Sequence, residues 1–238
     1  MPLTSAQYGI WLGQQLDPSS PAYWTAEAVE LTGELDAALF ETALRQAIDE
    51  CDALHQRFGS DAEQVWQCAV RTPWTLARHR MDEQGAHDWM RADLLQVPDL
   101  AAGPLFASAL LHIGAQRTLW YLRVHHVALD GFGYALLAQR VAALYSALVS
   151  GGVPPPPRPA GLQPLVAEDA AYLASPDCDA DRRFWCERML GAAPPALLAP
   201  PAAPVHGVLR RRAMLDADSI ERWTEAARAA KAPTGARS

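Results

Sequence analysis

Lysine is almost missing from this chain: Lys231 is the only one among 20 basic residues, the others all being arginine. Beside so much alanine and proline, this is a compositional bias rather than a functional signal. Positive charge is in deficit overall, with 27 acidic residues and a net charge of −7, which argues against a broad nucleic-acid-binding surface. Cysteine is sparse, and Cys51, Cys68, Cys178 and Cys186 stand far apart. No C-x-x-C and no Cys/His ligand spacing occurs, so neither a zinc site nor a disulfide framework is indicated. The opening Met1-Pro2-Leu3-Thr4-Ser5 has no basic or apolar leader region, and no unbroken run of 18 apolar residues appears. A soluble cytoplasmic protein without membrane or nucleic-acid partners is expected. Apolar material is plentiful: 50% of the 238 residues are hydrophobic and 20% charged. That excludes a disordered or fibrous chain and supports a sizeable core.

Two proline-dense stretches divide the chain, six prolines within 154–164 and five within 194–204. Proline lacks an amide donor and disfavours helix in the residue before it, so both read as loops or extended linkers. Ahead of the first, helix and strand patterns interleave. Thr4 or Ser5 can cap a helix with Ala6, Ile10 and Trp11 on its apolar face. Ala28 to Leu31 reads as a strand, and Asp36 can cap a helix presenting Leu39, Phe40, Ala43, Leu44, Ala47 and Ile48. Leu54 to Phe58 and Val65 to Val70 read as strands around Gly59-Ser60-Asp61. A helix follows over Glu83 to Leu95, then strands over Leu105 to Ile113 and Thr118 to His125. Tyr134, Leu137, Val141, Leu144 and Leu148 recur at helical steps. Beyond the linker, 165–174 and 179–190 read as helices, Val208 to Leu215 as a strand, and Asp218 with Glu221 as a capping box. The irregular alternation indicates α/β or α+β layers.

One stretch carries a chemical signal: Arg123-Val124-His125-His126-Val127-Ala128-Leu129-Asp130-Gly131. Side chains alternate along a strand, so His126 shares parity with Trp120, Leu122 and Val124, and His125 with Tyr121 and Arg123. Adjacent histidines on opposite faces are poorly placed to share one metal. An imidazole at a strand end can accept or relay a proton near neutral pH. Asp130 can fix the turn through arginine or backbone amides, and Gly131 allows a tight, left-handed turn or close approach of a substrate. A single histidine on an apolar face is most often a satisfied core residue. Two with Asp-Gly at this offset leave core and functional readings both open.

These residues resemble a known family. His125-His126-x-x-x-Asp130-Gly131 is similar to the H-H-x-x-x-D-G motif of nonribosomal peptide synthetase condensation domains. Thr4-Ser5-Ala6-Gln7-Tyr8-Gly9-Ile10-Trp11 resembles the family's opening S-x-A-Q-x-R-L-W, and Asp52 to Phe58 its E-x-L-R-T-x-F. Gly9-Ile10-Trp11, Val29 to Glu34 and Asp130-Gly131-Phe132 look most like domains of enterobactin-type siderophore assembly lines. Gly9 stands where many members carry arginine, so no ion pair from that position to Asp130 can form, and His55 replaces the second motif's arginine.

The resemblance implies an α/β chloramphenicol acetyltransferase-like two-layer sandwich, with the N-terminal lobe and crossover helices only. Residues 1–151 would be the lobe, 152–164 a linker, 165–231 the crossover helices and the start of a second lobe, and 232–238 a tail. The chain then reads as a fragment, a truncated gene or a frameshifted product, inactive alone. The implied reaction joins a carrier-bound acyl thioester to a carrier-bound aminoacyl acceptor. His126 would position the attacking amine or take its proton, with His125, Asp130 and Gly131 completing the site. No metal or directly bound cofactor is implied, phosphopantetheine arriving on upstream and downstream carrier proteins. The missing lobe and an adenylation domain would be further partners. A coenzyme A-dependent acyltransferase of the same fold and an inactive remnant or docking module are the alternatives.

Overall fold

The computed structural model describes residues 1–62, 64–157, 161–192 and 214–230. The chain divides into two compact units, 1–198 and 199–238. In the first, α1 (Ser5–Leu16), β1 (Trp24–Thr32), α2 (Ala37–Asp49), a 3₁₀ turn (Asp52–His55), β2 (Gln56–Ser60) and β3 (Val65–Ala69) come first. Then follow β4 (Leu76–Arg80), α3 (Glu83–Asp93), β5 (Phe106–Gly114), β6 (Arg117–His125), α4 (Gly131–Ser150), α5 (Leu162–Leu173) and α6 (Pro176–Met189). In the second unit the described element is α7 (Ala217–Ala229).

The main sheet runs β1-β6-β5-β4, antiparallel except that β4 pairs in parallel with β5; β2 and β3 form a separate hairpin. β6 is central and covered on both faces, which is why it reads as an almost unbroken apolar run. Trp120, Leu122 and Val124 point into the larger core beneath α2 and α4, where Phe40, Leu44, Ile48, Leu137, Val141 and Leu144 meet them. Leu119 and Tyr121 face the opposite side, under Ala86, Trp89 and Met90 from the α3 segment. Burying each large aliphatic side chain here contributes roughly 1.5–3 kcal/mol. By length and composition α4 is long and apolar enough to cross a membrane, but its Tyr134, Leu137, Val141 and Leu144 belong to this core.

Local capping chemistry explains the helix starts. Thr4 and Gln7 form a reciprocal capping box on α1. Asp36 accepts from the amides of Ala38 and Leu39, and Asp82 from Gly85. α4 stops at Gly151, whose φ of 66° is the left-handed cap conformation that glycine adopts without penalty. Asp169 of α5 accepts from both the amide and hydroxyl of Ser5, tying α5 to the start of α1.

Several expectations are corrected. Ala6 is exposed, and the buried residues of α1 are Gln7 and Gln14. The second strand starts only at Gln56, because Asp52 to His55 wind into a 3₁₀ turn. β4 was not anticipated: Leu76-Ala77-Arg78-His79-Arg80 has too few apolar residues to signal an edge strand. α5 starts at Leu162, inside the expected linker, with Pro164 tolerated in the first turn where its missing donor costs no helical bond. α7 is capped by Asp216, which accepts from Ser219, rather than by Asp218. Residues 194–204, 208–213 and 232–238 lie outside the described residues; Met214 to Asp216 form no regular structure.

Candidate active site

The central strand β6 delivers the two histidines to the edge of the sheet. His125 is the last strand residue, paired across from Trp24 of β1. The chain then turns sharply: the His126 amide donates to Tyr23 O (2.8 Å) and the Ala128 amide to His125 O (2.9 Å). α4 begins at Gly131, five residues after His126, so the turn is clamped between the end of the sheet and a helix N-terminus.

His125 is fully buried. Its Nε2 lies 3.1 Å from Gln14 Oε1, and its Nδ1 accepts from the Val127 amide at 3.3 Å. The ring sits edge-on to Trp24 and beside Tyr23, at centroid distances of 5.3 and 6.0 Å. Burial, with a smaller push from His126, lowers its pKa to about 4. A neutral imidazole bonded at both nitrogens does not reach a substrate. His125 thus stands behind the turn rather than at its surface.

His126 is half-buried, and its Nδ1 lies 3.0 Å from Leu129 O. A carbonyl can only accept, so Nδ1 carries a proton, and in the neutral ring Nε2 holds the lone pair. Among the described residues Nε2 has no hydrogen-bond partner. The parity argument carries over for His125, which lies on the Tyr121/Arg123 side against Trp24; His126 lies one residue past the strand, where its orientation is set by the turn.

Asp130 is the N-cap of α4 and accepts from the Gly133 amide at 2.8 Å. Gly131 is the first helical residue, and it is not among the glycines with positive φ. The left-handed turn foreseen there does not form. A Cβ on Gly131 would meet no atom within 4 Å, so the glycine borders open space. At Gly133, by contrast, a Cβ would fall 2.9 Å from Leu129 Cδ2, so a larger residue there would push the Leu129 side chain aside. Phe132, between them, is 73% exposed at the same edge.

Residues missed from sequence stand behind the turn. Gln7 exchanges amide hydrogen bonds with Gln67 and approaches Val127 O. Gln14 donates its amide to the carbonyls of Asp17, Pro18 and Ser20. Their spacing of seven was the available signal: it puts both on one face of α1, beside Ile10 and Trp11. On the far side, Arg123 lies over Trp24 at 4.2 Å and pairs with buried Asp93, which also accepts from the Tyr121 hydroxyl and the Gln96 amide. Arg123 Nε is 3.1 Å from Asp93 Oδ2 but off the hydrogen-bonding direction, so charge rather than a directed bond holds that contact. The described residues contain no cluster of metal-ligating side chains.

The condensation-domain family profile matches residues 1–235. A dimodular nonribosomal peptide synthase of Bacillus subtilis (strain 168) is 42% identical over 234 residues, covering 95% of this chain and 10% of that protein. Enterobactin synthase component F of Escherichia coli O157:H7 is 34% identical, covering 87% of this chain and 16% of that protein. The enterobactin likeness is therefore present, at lower identity than the Bacillus match. Among solved structures, the starter condensation domain of rhizomide synthetase, as a variant in complex with C8-CoA and Leu-SNAC, superposes with a TM-score of 0.82 at 38% identity. It covers 86% of this chain and 48% of that one. The first condensation domain of the CDA synthetase gives 0.74 at 32% identity, covering 79% of this chain and 50% of that one. The chain thus spans about half the length of the solved condensation chains and a small part of the curated synthetases. With the His-His-x-x-x-Asp-Gly turn, the sheet that presents it and these relatives in agreement, the chain belongs to the condensation-domain family of nonribosomal peptide synthetases.

Proposed function

We propose that this chain supplies the His126 wall of a site that joins an acyl thioester to an amine, forming an amide. The observation that carries the reading is the bare Nε2 of His126, left free because Nδ1–H is committed to Leu129 O. An amine attacking a thioester carbonyl becomes more acidic as its N–C bond forms. A fixed lone pair facing it can orient the amine and take that proton while the thiolate departs. Gly131, at the start of α4 and bordered by open space, offers a backbone N–H at the positive end of a helix dipole to a developing oxyanion. Asp130 acts through the turn. Donor and acceptor arrive on phosphopantetheine arms of carrier proteins, so no resident cofactor is required. A siderophore product is supported by the likeness to enterobactin synthase component F.

A second reading takes the donor from free acyl-coenzyme A, as in N-acylation of a first amino acid. It is favoured by the rhizomide starter domain, whose structure holds C8-CoA with Leu-SNAC. The test places this sequence in an intact synthetase and supplies an aminoacyl carrier with either an acyl carrier or an acyl-coenzyme A. Mass spectrometry follows acyl transfer. Transfer should depend on one donor and fall roughly 10²–10⁴-fold in His126→Ala, the usual contribution of one acid–base group. No transfer from either donor would leave the inactive-remnant reading.

A further inference from the structure

We propose that Gln14 is a positioning residue for His126, acting through His125; this rests on the amide-forming reading above. Gln14 is 2% exposed, and its amide is fully committed. Its NH₂ faces three carbonyl oxygens, those of Asp17 (3.0 Å), Pro18 (3.3 Å) and Ser20 (3.0 Å). Reversing the amide would set an oxygen against three oxygens, so the orientation is fixed and Oε1 must face His125. An amide oxygen only accepts. His125 therefore carries its proton on Nε2, which leaves Nδ1 as the acceptor that the Val127 amide requires. That last bond sets the backbone between His125 and Val127, and His126 is the residue in between.

The consequence is two adjacent histidines in opposite tautomers. His125 is Nε2–H because of Gln14, and His126 is Nδ1–H because of Leu129 O. Were His125 to take the other tautomer, its Nδ1–H would oppose the Val127 amide, both being donors. The turn would have to open, and the direction of the His126 lone pair with it. Burial keeps His125 neutral, so the pair does not switch by protonation near pH 7. A loop between α1 and β1, more than a hundred residues upstream, is thus wired to the reacting nitrogen.

The test is ¹⁵N NMR of the histidine-labelled full chain at pH 7. The expected result is a bare Nδ1 on His125 and a bare Nε2 on His126, assigned by His→Gln variants. In Gln14→Leu the His126 ring should lose its single-tautomer signature. In an intact synthetase the same change should lower kcat about 10- to 100-fold, the scale of a small misplacement, with KM little changed. If wild-type His125 carries its proton on Nδ1, or is doubly protonated, the proposal is overturned, whether or not the variant folds. So it is if Gln14→Leu leaves the His126 signature intact. The two opposite tautomers in a wild type without transfer activity would uphold the pair and overturn the amide-forming reading instead.

Discussion

At the residue scale the site separates two neighbours that look interchangeable. His126 offers a nitrogen to the outside; His125 spends both of its own on the protein. Their different environments have a measurable consequence in acid. Burial lowers the His125 pKa to about 4, below the 6.5 of an exposed imidazole. The folded state thus binds fewer protons than the unfolded one between those values. Its stabilisation is complete above pH 6.5 and is lost as pH falls toward 4. Unfolding measured at pH 7 and pH 5 should differ by about 2 kcal/mol from this residue, and His125→Gln should flatten that difference. His112, also lowered by burial and by Arg80 and Arg78, adds in the same direction. Glu41 and Glu50, held low by Arg45 and Arg140, keep their stabilisation at pH 7 and 5 and lose it only as pH falls below the usual carboxylate range, so the comparison of pH 7 with pH 5 reads the histidines. Asp130 is expected to act as a cap. Asp130→Ala should cost about 1 kcal/mol, or roughly 2–4 °C in Tm. Asp130→Asn, an equally good cap, should stay near wild type in the same melt.

At the element scale, the site depends on how firmly α4 is pressed onto the sheet. The contact is made chiefly by α2, whose Leu44 and Ile48 are completely buried between α4 and β6. Tyr134 ties the start of α4 to Thr25 O of β1 at 2.8 Å, and Arg140 ties its middle to Glu50 at the end of α2. Leu44→Ala leaves a cavity under that helix and should cost about 2–5 kcal/mol. A urea titration should show a lower midpoint with an unchanged slope. An effect under 1 kcal/mol would mean that the helix pair closes over the gap.

For the whole molecule, the described residues would build one wall of the proposed reaction site. Gly131 borders open space and Phe132 is largely exposed beside it. Under the proposed reaction, carrier-bound donor and acceptor would meet at His126 with water excluded, since thioester hydrolysis competes and fixed dipoles weaken in an open site. The 238-residue chain by itself should therefore form product far more slowly than an intact condensation domain when both loaded carriers are supplied, as read by mass spectrometry of the acceptor carrier. A comparable rate would show that one wall suffices. The exposed Phe184, Trp185 and Met189 of α6 form apolar surface of the kind that promotes association, which light scattering during the same preparation would register.

Much of this was legible in the sequence because it is local. Thr4, Asp36 and Asp130 cap their helices through bonds spanning two or three residues. The buried face of α2 and the apolar run of β6 follow from periodicity alone, and the His-His-x-x-x-Asp-Gly turn is contiguous. β4 was not legible, because an edge strand of mostly polar residues is defined by the partner it pairs with, here β5. Nor was the Arg123–Asp93 pair, which closes across 30 residues. The division of labour between the histidines lies furthest from the sequence. Strand parity separated their faces, but which nitrogen each leaves bare depends on Leu129 O for one and on Gln14, 111 residues away, for the other. A proton's place on an imidazole is decided by the groups it meets in space, and only the folded chain brings those groups together.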